Sequence, residues 1–100
     1  MQNNIAFIRD NVPLEERLSA LAEEATELAQ AALKYRRTII KGNPTPIDRE
    51  RALAALMEEI ADVKCCTETL DLNEMYQQMF MRDTFRFKAE RWANRLREAK

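Results

Sequence analysis

The chain has 100 residues, about one domain's worth, with 33% charged and 46% apolar side chains, a mix that excludes a disordered segment. One Gly and three Pro against 14 Ala leave too little turn material for collagen or most all-β folds and favour helix nearly throughout. The net charge of -1 gives no global pull toward nucleic acid, and no stretch approaches the roughly 18 apolar residues of a membrane span.

Taken in chain order, the first predicted helix covers residues 4–10, with Ile5 and Ile8 on one side and Asn3 or Asn4 as its cap. The opening residues have no basic start and no long apolar run, so they do not read as a secretory signal, and a cytoplasmic protein without membrane partners is expected. Asn11, Val12 and Pro13 interrupt the helix, and Glu15 and Glu16 then suit the start of another. Leu14, Leu18, Leu21, Ala25, Leu28, Ala32 and Tyr35 step by four and three residues in alternation. That seam predicts a long helix running to about residue 40.

Gly42 to Pro46 is the chain's main loop signal, with Thr45 as the next cap, Pro46 in the first helical position and Asp48 reaching back. Leu53, Leu56, Ile60, Val63, Thr67 and Leu70 make a second seam of the same period. Asp71 to Glu74 reads as a break with a capping box. A last helix to about residue 98 carries Met75, Met79, Phe80, Phe85, Trp92 and Leu96, with a weaker period broken by Arg82 and Asp83. The expected fold class is all-α: an antiparallel helical bundle of three long helices plus a short N-terminal one, forming a single domain over residues 1–100. Rods this long with so thin a core leave apolar stripes exposed, so oligomerisation is expected to complete the bundle, as a homodimer or homotetramer.

Charge is unevenly spread: residues 10–33 sum to -5 and residues 86–100 to +4. Beside the seams lie two acidic pairs. Glu24 and Glu27 stand three residues apart on one helix, Glu59 and Asp62 on the next. Such spacing stacks each pair on one helix face. Each pair precedes two consecutive seam positions by one residue, so both hold the same angular position. Antiparallel packing through the seams would turn them toward each other near mid-helix. Four converging carboxylates resist ionising together, and a hard divalent cation resolves the conflict. An oxygen-only ligand set points to Mg²⁺ or Mn²⁺ rather than zinc. Glu68 with Asp71, and Asp71 with Glu74, share the spacing but fall at a helix junction. There is no His, and the two Cys, Cys65 and Cys66, are adjacent; classical zinc spacings and an imidazole base are both absent. Neighbouring helical Cys point apart and read as reduced thiols, one of them apolar filling.

The words Leu21-Ala22-Glu23-Glu24-Ala25-Thr26-Glu27-Leu28 and Leu56-Met57-Glu58-Glu59-Ile60-Ala61-Asp62-Val63 resemble the paired acidic signature of the all-α nucleoside triphosphate pyrophosphohydrolases, the MazG-like family. The resemblance covers residues 13–70, with the Gly42–Pro46 loop as an apparent insertion. It implies hydrolysis of an (d)NTP to the monophosphate and pyrophosphate with Mg²⁺, in dimers or tetramers of helical subunits. Carried over, Glu24, Glu27, Glu59 and Asp62 would hold metal. Glu23 would orient or deprotonate water, and Glu58 has no match. Lys34, two helical turns after Glu27, is a candidate phosphate contact, and Lys88, Arg91 and Arg95 are others, supplied by this subunit or another. Tyr35, Tyr76, Phe80 and Trp92 could stack on a base, and the first helix with Phe7 could close over it. The alternatives are a non-catalytic helical interaction module and a metal-dependent nucleotide-binding protein without turnover.

Overall fold

The computed structural model describes residues 3–40 and 48–99. Four helices follow in order: α1 (Asn4–Asn11), α2 (Leu14–Ile39), α3 (Arg49–Glu68) and α4 (Met75–Glu98). The all-α reading therefore holds, with ends within a residue or two of those expected for α1, α2 and α4. No helix among the described residues is long and apolar enough to cross a membrane. The expected loop and cap at Gly42 to Pro46 lie outside the described residues.

Local chemistry sets the helix ends. The Asn3 side chain accepts from the Ala6 N–H at 2.7 Å and caps α1. Val12 is extended and Pro13 stands at the head of α2. Asp48 does not reach back from inside α3 as expected; it is itself the cap, accepting from the Glu50 N–H at 3.0 Å. At the far end of α3, Asp71 takes a positive φ of 60°, a conformation that a short polar side chain tolerates. Its carboxylate accepts from Asn73 at 2.9 Å and from Arg9 of α1 at 3.4 Å. The break falls at Asp71 to Glu74 as expected, but the capping box lies three residues later than the sequence suggested: Glu74 is the cap, and its N–H donates to the Gln77 side-chain carbonyl at 3.0 Å.

Antiparallel α2 and α3 make the only extensive helix–helix packing among the described residues. Arg17 near the head of α2 donates to the Thr69 carbonyl just past the end of α3. Arg49 at the head of α3 donates to the Thr38 carbonyl near the end of α2, at 3.2 Å. Arg17 also donates from Nε to the Val12 carbonyl at 2.9 Å, so one guanidinium serves the α1–α2 joint and the α3 terminus together. Arg17→Ala is expected to destabilise the fold by about 1–2 kcal/mol, seen as a lower urea midpoint at unchanged slope.

The packing face differs from the predicted seam in a regular way. On α2 the half-buried positions are Arg17, Leu21, Glu24, Leu28, Ala31, Tyr35 and Thr38; on α3 Ala52 is buried and Leu56, Glu59, Val63 and Cys66 are half-buried. Leu21, Leu28, Tyr35, Leu56 and Val63 hold their expected places. Leu18, Ala25, Ala32, Leu53 and Ile60 do not: each gives way to the residue before it and is exposed. Each helix carries two adjacent apolar stripes, and the α2–α3 pair uses only one flank of each. In consequence the described residues form almost no core. Ala52 is the one buried apolar side chain among the described residues, and Thr69 the one buried polar one.

Candidate metal and phosphate site

The half-step turn of both helices draws the acids inward. Glu24 and Glu59 occupy positions of the packing face itself, halfway along each helix, while Glu27 is exposed one turn further along α2. One carboxylate oxygen from each of Glu24, Glu27 and Glu59 lies within 4.8 Å of the others. The Oε2 atoms of Glu24 and Glu59 are shut off from solvent and lack any hydrogen-bond partner. A buried oxygen without a donor is costly, and in a native site it calls for a proton, a water or an ion.

The electrostatics agree with the geometry. The Glu24 carboxyl is pushed up to about 7. Burial is the main cause, followed by the neighbouring carboxyls of Glu59 and Glu27 and the charge of Asp62. Near neutral pH the cluster thus keeps a proton for part of the time. Cys66, half-buried on the same face of α3, has its thiol raised by burial first and then by Cys65, Glu24 and Asp62. It stays a protonated thiol that fills space, as expected of one of the pair, and both Cys are free.

The candidate residues are only partly brought together. Glu24, Glu27 and Glu59 converge. Asp62 is exposed one turn beyond Glu59, close enough for its charge to act on Glu24. Glu23 and Lys34 are exposed on α2, and Glu58 is exposed on α3. Lys88, Arg91 and Arg95 gather around one shallow depression on α4 with Trp92. The Arg91 guanidinium sits 5.9 Å from the centroid of the Phe87 ring, a cation–π distance. Of the aromatic candidates Tyr35 is half-buried, whereas Tyr76, Phe80, Trp92 and Phe7 are exposed.

Chemically, three converging carboxylates, two of them with a buried unpartnered oxygen, suit a hard divalent cation that favours oxygen donors and keeps water or phosphate in its remaining positions. The same oxygens without an ion can share a proton. The sequence pattern found the pairs but placed them beside the seam; the signal for the true placement was the equally regular spacing of Arg17, Leu21, Glu24, Leu28 and Ala31. No protein-family model, curated protein or solved structure matches the chain.

Proposed function

We propose that the chain is a Mg²⁺-dependent nucleoside triphosphate pyrophosphohydrolase that acts as a homo-oligomer and converts an (d)NTP to the monophosphate and pyrophosphate. The observation that carries this reading is the convergence of Glu24, Glu27 and Glu59 within 4.8 Å, with two buried oxygens left unpartnered. The likeness of the two acidic words to the MazG-like signature supplies the reaction class. Glu24, Glu27, Glu59 and Asp62 hold Mg²⁺, or Mn²⁺ in its place. When bound, the ion supplies positive charge to the triphosphate oxygens and acidity to a coordinated water. Glu23, exposed on α2 beside Glu24 in sequence, is assigned by the resemblance to orient that water and take its proton. Lys34, seven residues after Glu27 on the same side of α2, balances the phosphate charge.

A panel of NTPs and dNTPs with Mg²⁺ or Mn²⁺ tests the proposal by pyrophosphate release. At least one nucleotide is expected to turn over, and Asp62→Asn is expected to abolish the reaction while leaving helicity intact. Background release across the whole panel would refute the assignment. The exposed apolar residues of α4 favour a second reading, a non-catalytic interaction module, which requires no response to divalent ions. Calorimetry with a non-hydrolysable dNTP, with and without Mg²⁺, separates the enzyme from a binding protein that has lost turnover.

A further inference from the structure

Among the described residues two apolar surfaces lack a partner, and they match. The first is α4. Met81, Phe85, Ala89, Trp92 and Leu96 step by four, four, three and four residues and so line one helix face. All are exposed, Phe85 at 76% and Trp92 at 70%. The second is one side of the α2–α3 pair. On α2 the open stripe is Leu18, Ala25 and Ala32; on α3 it is Leu53, Met57 and Ile60. Each stripe is turned the same way in sequence from the contact face of its helix. Because the helices are antiparallel, that turn brings both stripes to one side of the pair. Glu27 and Asp62 are turned the opposite way and open on the other side. The small Ala residues between larger neighbours make a trough for bulky side chains.

Size argues for filling it. The chain exposes 8476 Å², against about 5,900 Å² for a compact monomer of its mass. Its radius of gyration is 17.6 Å, against about 13 Å for a compact chain of this length. An α4 about 36 Å long laid in such a trough, twice over in a reciprocal pair, covers about 1,400 Å² counted on both chains, inside the range of stable interfaces.

We infer that the occupant is a second copy of this chain: α4 of each protomer lies in the apolar trough on the α2–α3 pair of its partner, with Phe85 and Trp92 as anchors. The exchange is isologous, so one symmetric contact satisfies both unpartnered surfaces at once. It leaves the mouth of the acidic cluster open on the far side. The inference rests on the homo-oligomer part of the proposed function and not on its hydrolase part.

Trp92 is the only tryptophan, so it reports on its own burial. The test is sedimentation equilibrium over a dilution series, with Trp92 emission read in parallel, in the absence of divalent ions and nucleotide. A dimer with blue-shifted emission is expected, moving to the red in step with dissociation. Leu18→Glu in the trough and Phe85→Glu on α4 are each expected to weaken the dimer by at least about 30-fold, the scale of a hot-spot residue, with helicity kept. A monomer at every concentration would overturn the inference. A monomer with blue-shifted emission would overturn it as well, because α4 would then fold back on its own chain. A dimer indifferent to either substitution would place the contact elsewhere. Since no metal or nucleotide is present, failure here leaves the hydrolase reading standing, and failure of that reading leaves this contact intact.

Discussion

Glu59→Gln is expected to abolish pyrophosphate release and, in the same molecule, to raise the metal-free melting temperature by a few degrees. The two effects share one cause. Glu59 lies in the α2–α3 packing face, with one carboxylate oxygen buried and unpartnered, and within 4.8 Å of the Glu24 and Glu27 oxygens. Without an ion this arrangement sets like charges together and leaves a polar atom dry, and both cost stability. The amide keeps the shape, removes the charge and gives Glu24 a donor. With an ion the balance reverses, since a ligand is lost. The loss of activity should exceed the roughly 10–100-fold typical of groups that merely support a ligand. Titration with Mg²⁺ should stabilise the unsubstituted protein by mass action and the variant far less. Equal stability with and without Mg²⁺ in the unsubstituted protein would count against a metal site, and a variant less stable than its parent without Mg²⁺ would count against repulsion in the cluster.

Helix content and helix ends were legible because they depend on local chemistry. Caps, a proline, a run of acids at a helix head and the scarcity of glycine act within a few residues. The acidic pairs were legible for the same reason. Which stripe of each helix meets its neighbour was less so. On α2, Leu18, Ala25 and Ala32 are as apolar as a packing face requires, and the period alone favours them over Arg17, Glu24 and Ala31. The choice is made by a third body. If Leu18, Ala25 and Ile60 are reserved for another helix, the α2–α3 contact must take the next flank, and Glu24 and Glu59 come with it. The weak period of α4 has a related origin. Tyr76, Phe80 and Phe87 lie on one face and Met81, Phe85, Trp92 and Leu96 on another, so a single-stripe reading mixes two patterns. Arg82 and Asp83, which seemed to break the helix pattern, are both exposed and form a surface ion pair at 3.4 Å.

Stability should fall as pH rises from about 5 to about 8 in the absence of divalent ions, and Mg²⁺ should remove most of that fall. In the folded chain Glu24 is raised from 4.5 to about 7, mainly by burial and then by Glu59, Glu27 and Asp62. Between those two values the folded state binds more protons than the unfolded state. Stability therefore declines with pH across that window and levels off above it, opposite to an ordinary salt-bridged carboxylate. A bound Mg²⁺ needs Glu24 ionised, so binding releases a proton and tightens as pH passes through about 7. Thermal melts at several pH values, with chelator and with saturating Mg²⁺, check both signs. The chelated protein should melt highest at the acid end of the window, and the gain from Mg²⁺ should be largest at the alkaline end. Glu24→Gln should flatten both curves, because the proton held in the metal-free cluster and the charge offered to the ion belong to the same carboxyl. If Glu24→Gln flattened only the chelated curve, the ion would be held elsewhere, and the acid cluster would be a protonated structural contact.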